Sequence, residues 1–361
     1  MHNALQLASS ALFITSPNPR VGCVLVDPQG HIIGMGATQQ AGGPHAEVMA
    51  LRNAAAQGHE TRGSTAYVTL EPCSHHGRTG PCCDALIAAG IRHVVAAIAD
   101  PNPLVSGQGF ERLRAAGIQV DVGAGAQEAR ELNLGFFSRM VRQTPWVRMK
   151  VAASLDGYSA LPSGESQWIT SPAARADGHA WRARACAILT GIGTVLADDP
   201  RLDVREVASP RQPRLVVVDS QLQTPPNAQL FAAQREVLIY TGNAAADRQA
   251  ALEAQGATII RMPAAHGKVD LPAMLKDLAA RGVNELHVEA GHKLNGSLMR
   301  EGLVDEWLTY LAPKLLGGGQ GMAALPAVTS LAEAVAMRFH MVDRVGPDLR
   351  IVARIGTRDQ F

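Results

Sequence analysis

At 361 residues, the chain is too long for one ordinary hydrophobic core, and we expect two domains. Its net charge of +1, with 18% charged and 4% aromatic residues, argues against the broad basic face of a nucleic-acid-binding protein. Apolar runs are too short to span a bilayer, the first has no basic segment ahead of it, and the five cysteines are unevenly placed. We therefore expect a reduced cytoplasmic enzyme whose partners include neither nucleic acid nor membrane.

The first 144 residues alternate helices and strands, which is typical of a sheet covered by helices. A helix over 2–14 ends before Pro17 and Pro19, and a turn at 27–30 (DPQG) joins two strands in a hairpin. Strands are predicted at 21–26, 31–35, 65–70, 93–98 and 118–122, and further helices at 45–57, 82–90, 107–116 and 126–135. We assign this block, 1–144, to the first domain.

One group of residues in this block predicts a metal centre. His45 stands two residues before Glu47 at the start of a predicted helix, and Cys73 and Cys82 follow downstream, each after a proline. One histidine nitrogen and two thiolates leave the fourth position of a tetrahedral zinc ion open for water, as catalytic sites require. A glutamate that is not a ligand then carries protons to a leaving amine, as in nucleobase deaminases. We predict one zinc ion per chain on His45, Cys73 and Cys82, with Glu47 catalytic.

Other interpretations of this group stay open. Cys83 adjoins Cys82 and competes as a ligand, although on a helix it points about 100° away, which favours a packing role. His75 and His76 lie between the two cysteines, and we interpret them as loop residues, one of them a candidate substrate contact. A deaminase of tRNA or single-stranded DNA shares the group but needs a basic, aromatic-lined groove. A zinc ion that only stabilises the fold needs no proton carrier.

A second block, 145–361, opens where the pattern breaks at Thr144-Pro145. Strands are predicted at 147–155, 187–189, 215–218, 237–240, 259–260, 286–288 and 307–311, and helices at 172–184, 245–255, 271–281 and 293–301. Residues 191–202 (GIGTVLADDPRL) follow a strand, so their amides and the Thr194 hydroxyl are candidates for binding a phosphate at a helix start. Such a fragment alone is not specific.

Two segments of the first block resemble a known family. Residues 71–82 (EPCSHHGRTGPC), together with 17–23 (PNPRVGC), are similar to the deaminase half of the RibD family of bifunctional riboflavin biosynthesis enzymes. The resemblance implies a three-layer, cytidine-deaminase-like fold. It also implies substrate contacts for Asn18, whose amide can hold a pyrimidine edge, and for Arg78, a cation that suits a phosphorylated substrate. Thr38 and Gly80 depart from the family pattern of histidine and proline, but neither change removes a zinc ligand.

The second block resembles the reductase half of the same family. The similar segments are 149–157 (MKVAASLDG), 166–170 (SQWIT), 194–202 (TVLADDPRL) and 288–297 (VEAGHKLNGS). The resemblance implies a dihydrofolate-reductase-like α/β fold with NADPH as cofactor. For the cofactor it names Ala152, Trp168, Thr194, Asp198, Ser220, Gly291, His292, Lys293, Leu294, Asn295, Gly296 and Ser297. For the substrate it names Ser166, Arg182, Leu202, Arg205 and Glu289.

Both halves occur in the family's order and cover nearly the whole chain, which implies a bifunctional enzyme of riboflavin biosynthesis. The expected first step is zinc-dependent hydrolytic deamination of 2,5-diamino-6-(5-phosphoribosylamino)pyrimidin-4(3H)-one. The second is NADPH-dependent reduction of the ribosyl group, giving 5-amino-6-(5-phosphoribitylamino)uracil. The expected partner is thus a small phosphorylated pyrimidine, and we expect the chain to form a homo-oligomer.

Overall fold

The computed structural model describes residues 1–75, 80–103, 105–243 and 245–361. The chain divides into two compact units, Met1–Gln143 and Thr144–Phe361, so the division lies one residue before the predicted boundary. Each unit contains a main sheet of its own. Within the described ranges, no helix combines the length and the apolar character needed to cross a membrane.

The first unit is built on a five-stranded sheet. Its strands are β1 (Gly22–Val26), β2 (Ile32–Ala37), β3 (Thr65–Val68), β4 (His93–Ala96) and β5 (Gln119–Val122). Its helices are α1 (His2–Ser10), α2 (Ala46–Ala56), α3 (Cys82–Ala88), α4 (Gln108–Ala115), α5 (Ala126–Leu132) and α6 (Leu134–Arg142). The strand order is β2-β1-β3-β4-β5, with β1 antiparallel to both neighbours and the β3, β4 and β5 strands parallel.

Helices lie on both faces of this sheet, which gives the predicted three layers. Cys23 and Gly36 are cross-strand partners and therefore share one face. That face receives α2, because a Cβ on Gly36 would lie 2.4 Å from the Ala50 nitrogen. The opposite face receives α1, because a Cβ on Gly22 would lie 1.9 Å from the Ala4 oxygen. Glycine in these strands thus lets both helices rest directly on strand backbone.

The second unit contains a nine-stranded sheet and a small two-stranded one. Its strands are β6 (Trp146–Ser154), β7 (Tyr158–Ala160), β8 (Ala187–Gly191), β9 (Arg214–Val218), β10 (Val237–Thr241), β11 (Ala257–Arg261), β12 (Glu285–Val288), β13 (Glu306–Ala312), β14 (Gln320–Gly321), β15 (Met337–Val345) and β16 (Asp348–Ile355). Its helices are α7 (Pro172–Arg184), α8 (Ile192–Asp198), α9 (Ala246–Glu253), α10 (Leu271–Ala280) and α11 (His292–Arg300).

The larger sheet brings many strand ends to one edge. Its order is β11-β10-β9-β8-β12-β6-β13-β16-β15, parallel from β11 to β13 and antiparallel beyond. The carboxyl ends of the parallel strands therefore meet at a single edge, where open α/β sheets bind their ligands. Along β6, Val147, Met149 and Val151 enter an apolar core, whereas Arg148 and Lys150 alternate onto the opposite face.

The structure corrects several predicted elements. The first helix ends at Ser10 instead of continuing to residue 14. The helix predicted at 126–135 is two helices, α5 and α6, which are separated by Asn133, and α6 continues to Arg142. The antiparallel strands β15 and β16 were not predicted. Most of β15 is exposed, so it lacks the buried apolar run by which the other strands were recognised.

Candidate functional site

The zinc ligands predicted from sequence lie together at the starts of two helices. His45 is the residue that caps α2, Cys82 opens α3, and Cys73 lies in the loop after β3. His45 Nδ1 lies 3.6 Å from Cys73 Sγ and 3.3 Å from Cys82 Sγ. Zinc bonds of about 2.0 Å to nitrogen and 2.3 Å to sulfur, at the tetrahedral angle, place these atoms roughly 3.5 Å apart. The three side chains therefore fit the predicted metal.

The charges of the ligand group suit metal binding. Hydrogen bonds from Cys82 and His45 lower the pKa of the Cys73 thiol to about 4, although burial opposes them. The hydrogen bond with Cys73 raises the pKa of the Cys82 thiol, and burial and the nearby charges of Glu47 and Cys73 raise it further. The hydrogen bond with Cys73 raises the pKa of His45, although burial opposes it. Cys73 thus offers a thiolate to a divalent cation, and metal binding would displace the protons that Cys82 and His45 hold.

Glu47 stands beside these ligands in the first turn of α2. Its side chain is buried, with 3% of the residue exposed. Burial, followed by the negative charge of Cys73, raises its pKa to about 7. A carboxyl group with a pKa near neutrality both accepts and returns protons at working pH, as a general acid–base requires.

The neighbouring candidates have other surroundings. Cys83 Sγ donates to the Pro72 oxygen at 3.1 Å and to the Gly109 oxygen at 3.5 Å, so this thiol is directed at backbone and not at the ligand group. His75 is exposed, whereas His76 and Arg78 lie outside the described residues. Thr38 is buried, and its hydroxyl donates to the Val21 oxygen.

Asn18 lies in a short turn near the start of the chain, where its backbone N–H donates to the Thr15 oxygen. Arg20 lies two residues after Asn18, and the Asn133 side chain hydrogen-bonds to both the N–H and the carbonyl of Arg20. The segment that carries Asn18 is therefore anchored to the junction of α5 and α6.

A second polar site lies at the carboxyl edge of the larger sheet. Glu289 follows β12, and its two carboxylate oxygens accept hydrogen bonds from Nε and Nη2 of Arg182 on α7. Lys150 Nζ lies 3.9 Å and His287 Nε2 lies 3.4 Å from the same carboxylate. Burial alone would raise the pKa of Glu289, but the charges of Arg182 and Lys150 hold it well below its usual range. Glu289 is therefore ionised.

Asp203 connects this site to Arg205. Arg182 Nη1 donates to the Asp203 backbone oxygen at 3.0 Å, and Arg205 Nη1 donates to the Asp203 carboxylate at 2.7 Å. Two of the arginines expected to bind substrate are thus held by one residue. Leu202, also expected to bind substrate, has a buried side chain that belongs to an apolar core. A ligand would therefore contact this residue through its backbone atoms.

Several residues expected to bind a cofactor gather at the same edge. Gly291 caps α11, and a Cβ there would lie 3.7 Å from Thr194 Oγ1 on α8. Ala152 lies near the end of β6, Asp198 ends α8, and Ser220 follows β9. The start of α11 supplies His292, Lys293, Leu294, Asn295, Gly296 and Ser297.

The remaining two residues of the expected set lie between β7 and α7. Trp168 is 62% exposed, and the Arg175 guanidinium lies 4.4 Å from its ring centroid. Ser166 is part-buried two residues earlier.

Sequence reasoning missed Lys150, Asp203 and His287. A signal for two of them was present, because charged residues at alternate positions interrupt otherwise apolar strands. Arg148 and Lys150 on β6 face the same side as Glu285 and His287 on β12. Such alternation marks a polar face that a helix must cover.

Comparison with known proteins decides the family. A model of the cytidine and deoxycytidylate deaminase zinc-binding region matches residues 1–98, and a model of the RibD C-terminal domain matches residues 145–351. The chain is 46% identical to riboflavin biosynthesis protein RibD of Escherichia coli strain K12, covering 97% of this chain and 96% of that protein. The chain belongs to the RibD family. RibD of Aquifex aeolicus strain VF5 is 40% identical, with 97% and 96% covered.

Solved RibD structures are similar to this chain over nearly its full length. Acinetobacter baumannii RibD, form 1, superposes with a TM-score of 0.90 at 38% identity, over 99% of this chain and 98% of that one. The Thermotoga maritima diaminohydroxyphosphoribosylaminopyrimidine deaminase/5-amino-6-(5-phosphoribosylamino)uracil reductase gives 0.86 at 31% identity, over 99% and 97%.

As a RibD protein, the chain is a bifunctional deaminase and reductase of riboflavin biosynthesis. Its first unit is a cytidine-deaminase-like domain whose zinc-binding region holds the His45, Cys73 and Cys82 site. Its second unit is the RibD reductase domain, with a dihydrofolate-reductase-like fold. The predictions of family, fold class and paired activities are confirmed.

Proposed function

We propose that the first domain deaminates 2,5-diamino-6-(5-phosphoribosylamino)pyrimidin-4(3H)-one, and that the second uses NADPH to reduce the ribosyl group, giving 5-amino-6-(5-phosphoribitylamino)uracil. The observation that carries this proposal is the presence, in one chain, of the zinc ligand group with Glu47 and of the site formed by Arg182 and Glu289. The relatives named as deaminase and reductase support the substrate pair.

In the deaminase step, Glu47 is the group that moves protons. Zinc, when bound by His45, Cys73 and Cys82, supplies Lewis-acid activation of a water molecule. The Glu47 carboxylate takes a proton from that water as its oxygen attacks C2, and the protonated acid then donates to the amino group that leaves as ammonia. We assign Asn18 to the pyrimidine edge and Arg78 to the phosphate.

In the reductase step, the cofactor supplies hydride and the chain supplies a proton and the binding contacts. Arg182 and Arg205 are the cations assigned to the substrate phosphate and ribose, together with Ser166, Leu202 and Glu289. Reduction at C1 of the opened ribosyl group takes up one proton for each hydride. Lys150 is the donor that we assign, because its half-buried ammonium lies 3.9 Å from Glu289 and desolvation lowers its pKa.

The carboxyl edge of the larger sheet is the surface that we assign to NADPH. Its amides at the start of α11 and the neighbouring Thr194 hydroxyl suit a pyrophosphate. The proposed contacts are Ala152, Trp168, Thr194, Asp198, Ser220, Gly291, His292, Lys293, Leu294, Asn295, Gly296 and Ser297.

We also propose that the chain forms a homo-oligomer. The support is β15, which ends the larger sheet and exposes Phe339 and Val342. A sheet edge with apolar side chains is a self-complementary surface that a second copy would cover. Light scattering should give a mass that is a multiple of the 38.1 kDa chain, and a monomer at micromolar concentration would contradict the proposal.

The two reactions are separated by omitting NADPH or removing zinc. Purified protein is incubated with the diaminopyrimidine nucleotide, with and without NADPH and a chelator, while ammonia and NADPH oxidation are followed. Ammonia should appear without NADPH, and NADPH oxidation should require prior deamination. If oxidation proceeds equally well after zinc removal, the proposed order of the two steps is wrong.

A further inference from the structure

Glu71 is a buried carboxylate beside the zinc centre that the deamination mechanism does not use. It lies two residues before Cys73, with 3% of the residue exposed. Its oxygens accept three backbone N–H groups, from Asp100 at 3.1 Å, Gly107 at 3.0 Å and Gly109 at 2.9 Å. Such bonds compensate the desolvation of a buried carboxylate, and they tie the chain ahead of Cys73 to the segment that leads into α4.

Residues 71–73, which include Glu71, also pack closely against the starts of α4 and α3. A Cβ on Gly109 would lie 2.1 Å from the Pro72 oxygen, so α4 begins directly against this backbone. Cys83 Sγ donates to the same Pro72 oxygen, and the Cys83 N–H donates to the Cys73 oxygen at 3.2 Å. Residues 71–73 are thus clamped between the first turns of α3 and α4.

The three zinc ligands differ in what fixes their backbone. His45 and Cys82 stand at the starts of α2 and α3, so each belongs to a helix that packs in the domain. Cys73 belongs to no helix or strand and lies five residues beyond the end of β3 at Val68. Its position depends on the contacts of residues 71–73. A zinc ligand displaced by a fraction of an ångström binds the metal more weakly.

We propose that Glu71 is a positioning residue of the zinc centre: its three hydrogen bonds hold residues 71–73 so that the Cys73 thiolate meets His45 and Cys82 at metal-binding distance. Glu71 does not itself touch metal or substrate in this role. The inference rests on the zinc centre and not on the identity of the pyrimidine.

Glu71→Gln tests the proposal with little change in shape. The amide replaces one acceptor oxygen by an NH2 group, so it cannot accept all three N–H groups. Zinc affinity of the full-length protein is measured by competition with a chromophoric chelator. We expect about 10–100-fold weaker binding, the usual loss when a group that supports a metal ligand is removed. The Co²⁺-substituted variant should also show a weaker thiolate-to-metal charge-transfer band.

Asn133→Ala is the matched control. Asn133 is 2% exposed in the same domain and also makes three hydrogen bonds to backbone, at 2.8 Å, 2.9 Å and 3.2 Å. Its partners are Arg20 and Ala129, not residues 71–73. This variant should lower the unfolding midpoint of the zinc-free protein, as Glu71→Gln does, yet keep wild-type zinc affinity and the cobalt spectrum.

Two outcomes overturn the proposal: wild-type zinc affinity in Glu71→Gln, or an equal loss of affinity in Asn133→Ala. The second would show that general destabilisation accounts for the effect. If Glu71→Gln does not fold, Glu71→Asp takes its place, because it keeps the charge but withdraws the carboxylate by one methylene. Failure of the wild-type protein to bind zinc would instead refute the metal centre itself.

Discussion

Glu47 shows how a single buried carboxyl separates a catalytic zinc centre from a structural one. In Glu47→Gln the three metal ligands stay in place, but the side chain no longer accepts a proton. We expect ammonia release to fall at least about 100-fold while zinc content and the reduction of already deaminated substrate stay at wild-type levels. Ammonia assays and metal analysis check this. Unchanged deamination would favour a zinc ion that only stabilises the fold.

Arg182 illustrates how one guanidinium sets the protonation state of a buried acid. Burial raises the pKa of Glu289, and Arg182 more than offsets it, so the wild-type carboxylate stays ionised well below pH 4.5. In Arg182→Met the pKa should rise by about 1–3 units. Since the protonated form is then populated at higher pH, the acidic limb of reductase kcat/KM should move upward by the same amount.

Arg184 provides the control for this shift. It lies on the same helix, and both arginine side chains are 15% exposed, but Arg184 pairs with Glu285 at 2.7 Å. Arg184→Met should therefore cost stability without moving the acidic limb. A pH–rate profile that is equally displaced in both variants would show that the loss of a buried ion pair, and not the pKa of Glu289, is responsible.

The functional residues differ in whether a local spacing pattern in the sequence identifies them. His45 and Glu47 are two positions apart on one helix start, and the cysteines follow prolines, so local spacing was enough. The pair Arg182 and Glu289 is separated by 107 positions and was found through family resemblance, not spacing. The alternation of charged residues along β6 marks Lys150 as unusual, but its place beside Glu289 follows only from the pairing of β6 with β12, which no local pattern specifies.

At the scale of elements, the approach of α2 to the first sheet decides where two of the functional side chains stand. A Cβ on Gly36 would lie 2.4 Å from the Ala50 nitrogen and 2.5 Å from the Ala46 oxygen. Gly36→Ala must push α2 outward, a change that typically costs about 1–3 kcal/mol. We expect a lower unfolding midpoint and weaker zinc binding, because His45 and Glu47 move with the helix.

Gly178→Ala makes the same chemical change where there is room. Gly178 lies inside α7, and a Cβ there meets nothing within 4 Å. Alanine in a helix interior is about 0.5–1 kcal/mol more favourable than glycine. Denaturant unfolding should thus show no loss of stability for this variant. Equal destabilisation by Gly36→Ala and Gly178→Ala would show that close packing of α2 on Gly36 is not the cause.

Several elements were predicted to within a few residues, whereas elements that depend on distant partners were not. The hairpin of β1 and β2 and the helix α7 were expected and are present. The break at Asn133 between α5 and α6 depends on side-chain bonds to Arg20, far away in sequence. The strand β15 is mostly exposed and pairs with β16 at the edge of the larger sheet. Such elements are specified by partners, not by their own periodicity.

At the scale of the whole molecule, the two activities lie in units that have separate sheets. Substitutions at distant sites without shared partners act independently. Glu47→Gln and Lys150→Met, which removes the assigned proton donor of the reductase step, should therefore each block one step and leave the other intact. Neither variant alone should convert the diaminopyrimidine nucleotide to the ribityl product with NADPH.

An equimolar mixture of these two variants should restore the overall reaction. Lys150→Met deaminates the substrate, and Glu47→Gln reduces the product that is released, so NADPH oxidation should follow a lag that shortens as Lys150→Met is increased. The matched control mixes Glu47→Gln with Cys73→Ser, which both lack the first step and should stay inactive together. If the first mixture is also inactive at high concentrations of both proteins, each activity requires the intact partner domain in the same chain, and the independence of the two units is refuted.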